Sequence, residues 1–334
     1  WARDNDQTKI SWITNDERLI KKGEKLSADN FEIVQSMYRP FVKTYLAFGA
    51  KVNNRVYQLP KIFSSNTTNR AIVISGVGAA MPFSAFMVSE IPDASFFGAQ
   101  SNSQVFGERT IEVGISKDEL GLFAEIAGHA STSDDNLSAG VLSAISKRLG
   151  RTVSPRELFD YVYGVLNWPA YREQYSVDLK KELPRIPITN DFETILDSGR
   201  KLAELHLNYE SLPEFPLEVI GRDAENFHVI KMKYGKNGRV EDKTIIHLNE
   251  RLQVRGIPLE AHEFTLGAKS AIDWIVERYC IKVDKNSGIV NDANEMANDD
   301  PQYPLRLISK VVTLAMESKS IRDAMPDAIV ELDV

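Results

Sequence analysis

The chain has 334 residues, a hydrophobic fraction of 43%, a charged fraction of 26% and a net charge of −7. This composition is typical of folded globular proteins and excludes disordered and fibrous classes. The sequence has no apolar run of about 18 residues, and its first thirty residues lack the apolar core of a signal peptide. We therefore expect a cytoplasmic protein with no membrane partner, folded as one large unit with lobes or as two domains.

The charge is distributed unevenly along the chain. From Ile33 to Ser89 there is no Asp or Glu, although this segment contains six Lys or Arg residues. Such asymmetry indicates a surface that binds polyanions. The chain begins at Trp1 with a polar, charged stretch, which we interpret as the start of a piece of a longer protein.

Residues 33–113 are predicted to be mostly β. The stretch "NRAIVISGVGA" is continuously apolar, "PFSAFMVSEI" alternates in part, and "ASFFGA" is short and aromatic, with Gly, Pro and Asn between them. We expect a mixed or antiparallel sheet in this part of the chain.

From about 134 to 210 the apolar period becomes helical. One stripe of "NLSAGVLSAISKRLG" comprises Leu137, Val141, Leu142, Ile145 and Leu149. Gly150 then lies where a helix ends. The next helix begins with a capping box formed by Ser154 and Glu157, with Pro155 at its first position. The "PRIPI" stretch must be extended, and a further helix follows with Asp191 as its cap.

Residues 226–257 return to β. An Asn237-Gly238 turn between alternating segments predicts a hairpin, and a third alternating run completes a three-stranded meander. A helix around 269–279, an acidic loop and a last helix in "YPLRLISKVVTLAMES" follow. The predicted fold class is α+β: a β-rich N-terminal lobe (31–133), a helical segment (134–215), and an antiparallel β-meander with C-terminal helices (216–334).

Motifs of catalytic or metal sites are absent from the sequence. It has no phosphate-binding GxxxxGK[ST] loop, and "SGVGAA" supplies only two glycines of a dinucleotide fingerprint. The acidic-x-Lys pattern of Glu241-Asp242-Lys243 is interpreted as a solvated strand end, and Cys280 as a packed apolar residue. Core, cap or surface roles are expected for the histidines, which lack metal-ligand spacing: His129, His206, His228, His247 and His262.

Duplex DNA binding needs cations for phosphates and planar amide or guanidinium groups for base edges, and the basic segment supplies both. Its candidate residues are Arg39, Lys43, Lys51, Asn53, Asn54, Arg55, Lys61, Asn66, Asn69 and Arg70. A second basic cluster lies in the predicted meander and comprises Lys231, Lys233, Lys236 and Arg239. The alternative is that these cations only solubilise the sheets and that the asparagines are turn residues.

Four long motifs, in this order, resemble the C-terminal specificity region of type ISP restriction-modification enzymes. They are "YRPFVKTYLAFGAKVNNRVYQLPKIF", "NRAIVISGVGAAMPFSAFMVSEIPDASFF", "LFDYVYGVLNWPAYREQYSVDLKKELPRIPI" with "SGRKLAELHLNYE", and "GAKSAIDWIVERYCIKVDKNSGIVND". The likeness covers about residues 10–325. In "YGVLNWPAYREQY" and "PRIPI" a looser likeness extends to specificity domains of other adenine methyltransferases.

The resemblance implies a target-recognition domain of a bacterial enzyme of phage defence. Such a domain binds double-stranded DNA and positions a target adenine for the N6-adenine methyltransferase domain of the same polypeptide. Residues 1–30 would then be a lead-in from the methyltransferase domain, and 31–334 the recognition domain. "KVNNR" (Lys51–Arg55) is the first place to expect base contacts, whereas "YRPF" fits an architectural or a phosphate-binding role.

The sequence contains no NPPY-type catalytic motif, no S-adenosylmethionine-binding motif and no helicase or nuclease motif. The resemblance therefore implies that the chain alone is not an enzyme and binds no cofactor, and that S-adenosylmethionine, ATP and Mg²⁺ belong to other domains. The rival hypothesis is a scaffold that couples the methyltransferase to the ATP-dependent translocase without contacting bases. A stand-alone hydrolase is disfavoured because no nucleophile-base pair is visible.

Overall fold

The computed structural model describes residues 14–63, 68–111, 133–221, 227–283, 285, 288, 290–292, 294–295 and 300–332. The helices are α1 (Thr14–Lys22), α2 (Leu59–Ile62), α3 (Ala139–Leu149), α4 (Pro155–Asn167), α5 (Pro169–Gln174), α6 (Phe192–Leu207), α7 (Ala271–Arg278) and α8 (Tyr303–Asp323). In the part of the chain covered by these ranges, no helix combines the length and apolar character that a bilayer crossing requires.

The strands follow the predicted division into two β regions around a helical one. In the first region they are β1 (Glu32–Arg39), β2 (Val42–Phe48), β3 (Ala71–Ile74), β4 (Ala85–Val88), β5 (Ile91–Pro92), β6 (Gln104–Gly107), β7 (Arg109–Ile111) and β8 (Ser133–Asp135). In the second they are β9 (Glu218–Ile220), β10 (Lys233–Asn237), β11 (Val240–His247), β12 (Gln253–Arg255), β13 (Thr265–Leu266), β14 (Lys269–Ser270), β15 (Ile281–Val283) and β16 (Val290–Asp292). The α+β prediction is confirmed.

The N-terminal lobe contains two three-stranded sheets. Their strand orders are β2-β1-β5, in which β1 and β5 are parallel, and β4-β3-β6, which is antiparallel throughout. The prediction of a mixed or antiparallel sheet is therefore confirmed. The strand predicted at "ASFFGA" is wrong, because Phe96 and Phe97 are buried in a turn that Asp93 organises by accepting a hydrogen bond from the Ser95 amide at 2.7 Å.

The β4-β3-β6 sheet separates two hydrophobic cores. The side chains of Ala71 and Val73 belong to the core shared with the C-terminal sheet, α7 and α8, while those of Ile72 and Ile74 pack with α4 and α6. A strand buried on both faces needs an unbroken apolar sequence, which explains the "AIVI" run. The helices α4 and α6 cross closely, since a Cβ on Gly199 would lie 2.0 Å from the Asp160 carbonyl oxygen.

Local sequence signals determine several element boundaries. The capping box of Ser154 and Glu157 begins α4, and Gly150, at φ +66°, ends α3. Asp191 occupies the N-cap position of α6 without a side-chain capping bond. The predicted stripe of α3 is wrong at Val141, which is 47% exposed because the helix buries only part of its apolar surface against the second core.

The C-terminal sheet has the strand order β10-β11-β12-β9, so a fourth strand extends the predicted meander. The hairpin turn lies one residue beyond its predicted place. Asn237 pairs with Val240, and the two-residue loop is Gly238-Arg239, with Gly238 at φ +64°. Glycine at the first loop position suits the right-handed twist of the flanking strands.

A buried ion cluster joins the N-terminal lobe to α4. The Arg70 guanidinium donates to both carboxylate oxygens of Glu108, at 2.8 and 3.0 Å, and forms an ion pair with Asp160 at 2.9 Å. The side chain of Asp160 is only 1% exposed. Burial raises the pKa of this carboxyl, while the charge of Arg70 opposes the shift. The ion pair with Arg70 therefore offsets the free-energy cost of burying the charged Asp160 carboxylate.

Replacing Arg70 with Ala is expected to lower the free energy of unfolding by about 3 kcal/mol, because Asp160 then remains buried without its cation. The double variant Arg70→Ala/Asp160→Asn is expected to recover part of this loss, since only Glu108 then remains without its cation. Denaturant unfolding of the single and double variants measures both effects. A loss under about 1 kcal/mol for Arg70→Ala would contradict a stabilising role of the cluster.

A second polar cluster attaches the C-terminal sheet to α7. The Asp273 carboxylate accepts hydrogen bonds from the Tyr234 hydroxyl at 2.6 Å, from Lys243 Nζ at 3.0 Å and from the Ser270 amide at 3.0 Å. Ser270 is also the N-cap of α7 and accepts from the Asp273 amide. Burial alone would raise the pKa of Asp273, but these donors lower it to about 2.

The pKa of Asp273 lies below its unfolded value of 3.8, so the ionised carboxylate stabilises the fold above about pH 4, and this contribution is lost as the pH falls toward 2. Between pH 6 and pH 3 the wild-type chain is expected to lose roughly 1 kcal/mol more free energy of unfolding than Asp273→Asn. Denaturant unfolding across this range measures the difference. Asp197→Asn, on the exposed face of α6, is the control, and equal slopes for all three proteins would refute the role of Asp273.

Candidate nucleic-acid interface

Two of the cations predicted to bind DNA in the basic segment are engaged within the fold. The Arg39 guanidinium forms an ion pair with Asp93 at 2.8 Å and lies over the Tyr38 ring. Lys43 Nζ contacts Glu90 at 2.9 Å and Glu210 at 2.6 Å. Burial by itself would lower the pKa of Lys43, but the two carboxylates raise it above its usual value. Both side chains are thus largely buried cations with acidic partners.

Asn69 and Arg70 are engaged in the same way. The buried Asn69 amide donates to the carbonyls of Ile62 and Arg109, at 2.9 and 2.8 Å, and its oxygen accepts from the Arg109 amide. Arg70 belongs to the ion cluster with Asp160. Arg39, Lys43, Asn69 and Arg70 therefore bond to partners inside the chain.

The predicted base-contacting stretch forms a compact loop, residues 49–55, which we call the asparagine loop. Asn15, a buried residue of α1, donates from its side chain to the carbonyls of Ala50 and Asn53, at 3.0 and 2.5 Å. Its backbone amide donates to Asn54 Oδ1 at 3.1 Å. Asn53 Oδ1 accepts from the Gly49 amide. The two loop asparagines therefore shape the loop, as turn residues do.

Cations accompany the asparagine loop on the surface. Arg55 is exposed and donates weakly to the Tyr57 hydroxyl at 3.4 Å, and Lys61 of α2 is also exposed. Lys51 is partly exposed and lies 3.5 Å from Glu24. Asn66 lies outside the described residues. The loop thus presents Arg55 and Asn54 to solvent from a hydrogen-bonded backbone.

Three residues of the predicted second cluster, Lys231, Lys233 and Lys236, line a cleft of about 1000 Å³ between the β10–β11 hairpin and α7. We call it the lysine cleft. Its cations are Lys231, Lys233, Lys236, Lys269 and Lys282. Met232, Tyr234 and Val276 form its apolar wall, and Cys280 lies buried at its lining, as expected of a packed residue.

Two of the three acidic residues of the lysine cleft already have cationic partners, whereas Glu241 forms no ion pair among the described residues. Asp273 bonds to Lys243, and Glu277 pairs with Lys269 and Arg278. Of the cleft lysines, four form no ion pair among the described residues: Lys231, Lys233, Lys236 and Lys282. Their ammonium groups are available for an external anion such as a phosphate.

Two cleft lysines, Lys269 and Lys282, were not among the residues predicted from the sequence. They flank α7 in a stretch that also contains Asp273 and Glu277, so residues 269–282 carry a net charge of only +1. In the fold, Asp273 and Glu277 form ion pairs with nearby cations, and Lys269 and Lys282 lie beside the hairpin. Arg239, which was predicted, is exposed in the hairpin loop.

One histidine, His206, lies in the core, which is one of the roles expected for the histidines. His206 is fully buried at the junction of the two cores, stacks on Phe86, and bonds to the hydroxyls of Tyr163 and Ser318. Burial lowers the pKa of His206 to about 3, so the ring is neutral. Within the described ranges no three His, Cys, Asp or Glu side chains come together as a metal site requires. His129 lies outside those ranges.

Solved structures with the same fold include two Type ISP restriction-modification enzymes. A nuclease-deletion mutant of the Type ISP restriction-modification enzyme LlaGI, in complex with a DNA substrate mimic, matches with 32% identity and a TM-score of 0.82 over 98% of this chain and 28% of that chain. The ATP-dependent Type ISP enzyme LlaBIII bound to DNA matches with 29% identity and a TM-score of 0.84, over 97% of this chain and 20% of that chain.

A cryo-electron microscopy structure of a DrdV–DNA complex shares the fold, with 24% identity, a TM-score of 0.81, and coverage of 98% of this chain and 31% of that chain. The chain therefore spans less than a third of each of these proteins. No curated protein matches it significantly. Residues 2–307 match the family described as the Type ISP C-terminal specificity domain. With most of its length matched, the chain belongs to the family of Type ISP C-terminal specificity domains.

Proposed function

We propose that the chain recognises a specific sequence in duplex DNA as the target-recognition part of a restriction-modification enzyme. It would hold the duplex beside a methyltransferase domain of the same polypeptide while an adenine is flipped for N6 methylation. The observation that carries the proposal is the lysine cleft, a cationic surface on a fold whose relatives LlaGI and LlaBIII were solved with DNA.

The cleft suits the phosphate backbone physically. Duplex DNA carries one negative charge per roughly 1.7 Å of helix axis, and each phosphate neutralised by a lysine releases condensed counterions. Lys231 and Lys233 lie two residues apart beside the edge of the sheet, and Lys282 lies on β15, whose first residue donates a backbone hydrogen bond to Ile230. Exposed ammonium groups on these neighbouring segments can contact successive phosphates.

The asparagine loop supplies a second surface for the same partner. A guanidinium and an amide are the groups that contact guanine and adenine edges, and the loop exposes Arg55 and Asn54. Asn15 holds the loop by three hydrogen bonds, so less conformational entropy is lost when it binds. Catalysis, and with it S-adenosylmethionine, ATP and Mg²⁺, is assigned to other domains of the parent enzyme.

Replacing Lys231, Lys233 and Lys236 together with Gln is expected to weaken DNA binding and to reduce the slope of log affinity against log salt by about 2 to 3, since each lost phosphate contact removes about 0.9. Fluorescence anisotropy of the chain with a labelled duplex, titrated at several salt concentrations, measures both quantities. The duplex sequence comes from mapping methylated adenines in a host that carries the parent enzyme.

The matched control is Lys147→Gln/Arg200→Gln/Lys201→Gln, which removes the same charge from exposed positions of α3 and α6. It is expected to leave the salt slope unchanged. Equal losses for both triple variants would show a general charge effect and refute the cleft as the interface. A wild-type chain that binds neither the specific duplex nor a scrambled one would instead support the scaffold hypothesis.

A further inference from the structure

The β10–β11 hairpin has an exposed tip, residues 236–240, that the folded core does not use. Each tip residue is exposed, and Val240, an apolar residue, is 71% exposed. Neither Asn237 nor Arg239 has a side-chain hydrogen bond or ion pair among the described residues. The tip therefore presents an amide, a guanidinium and an apolar side chain side by side without internal partners.

The base of the hairpin, by contrast, is fixed. Pairing shifts from Tyr234 opposite Ile246 to Gly235 opposite Asp242, so β11 contains a three-residue bulge. Lys243, within the bulge, bonds to Asp273 of α7, as does the Tyr234 hydroxyl. Bulges increase strand twist and redirect the strands beyond them. The tip thus extends from an anchored base at the edge of the sheet.

The chemistry of the tip matches the edges of bases in the major groove. A guanidinium such as that of Arg239 binds guanine O6 and N7, an Asn amide binds adenine N6 and N7, and an apolar group such as Val240 contacts the thymine methyl. Two acids follow the tip: Glu241 lies opposite Lys236 in the hairpin register, and Asp242 Oδ1 accepts from the Thr244 amide and hydroxyl. A two-stranded ribbon fits the major groove, which is ~12 Å wide.

We propose that this hairpin tip enters the major groove of the bound duplex and that Asn237 and Arg239 contact base edges there. Lys231 and Lys233, at the base of the hairpin, hold the adjacent phosphates. The inference rests on the proposed DNA-binding function and deepens it, because it assigns base readout to one element and phosphate contact to another. The sequence predicted Lys231, Lys233 and Arg239 as DNA-binding residues, but it did not predict Asn237 or base contacts at this hairpin, because the asparagine loop was the first candidate.

The test selects preferred sequences from a pool of duplexes with a randomised central segment, using the full chain as bait. Three proteins are compared with the wild type: Asn237→Ala/Arg239→Ala at the tip, Lys231→Gln/Lys233→Gln at the base, and Arg200→Ala/Asn208→Ala as a matched control on α6. Circular dichroism melting establishes that each variant is folded.

The wild type and the α6 control are expected to enrich the same motif. The tip variant is expected to lose preference for the correct base at one or two positions, by roughly 5- to 150-fold per position. The Lys231→Gln/Lys233→Gln variant should enrich the same motif, but it should bind all sequences more weakly and show a smaller dependence of affinity on salt. This contrast separates base readout from phosphate contact.

A tip variant that enriches the unchanged motif would overturn the inference while leaving the proposed function intact. In that case the tip charges serve only to keep an exposed sheet edge from pairing with other chains. A folded wild-type chain that enriches no motif would refute the proposed function itself. The two failures therefore give different results in one experiment.

Discussion

The burial of the β4-β3-β6 sheet on both faces is the constraint on which the rest of the structure depends. Its strands are four residues each, yet the side chains of Ile72 and Val73 belong to different cores. Because β3 and β4 are buried on both faces, helices cover one side of them and the C-terminal sheet with α7 and α8 covers the other. The Arg70 ion cluster then ties this sheet to α4, and the neutral His206 fills the junction between the cores. Phe48, next to the asparagine loop, and Met232, in the lysine cleft, belong to the same hydrophobic core.

The elements predicted well from the sequence are those whose signal is local. The capping box of Ser154, the glycine after α3 and the alternating strands of the meander each depend on residues a few positions apart, as their physics does. The strand predicted at Phe96 and Phe97 was wrong, because a buried turn requires the same apolar residues as a buried strand. Periodicity over so few residues cannot distinguish the two.

The binding surface was harder to predict because a charged side chain can be neutralised by a residue that is close in space but distant in the sequence. The segment from Ile33 to Ser89 has no acidic residue, which predicts a cationic surface. In the fold, however, Lys43 pairs with Glu210, 167 residues away in the sequence, and Arg70 pairs with Asp160. Conversely, Lys282 is exposed beside acids whose charge other cations neutralise. Screening limits interactions between exposed charges to ~8 Å at physiological salt. A net charge of −7 on the whole chain is therefore compatible with a locally cationic cleft.

The arrangement separates residues that fold the chain from those proposed to contact bases. Changing Asn69 or Arg70 leaves buried groups without partners, which costs about 1 to 3 kcal/mol for a neutral group and more for a charge. Changing Arg239 at the hairpin tip disturbs no described partner, so its cost to folding is within about 0.5 kcal/mol. A recognition domain whose target sequence must be able to differ needs its base-contacting side chains at positions of this second kind. The anchored base of the hairpin keeps the geometry constant while the side chains at its tip are replaced, so that a new sequence preference does not require a new fold.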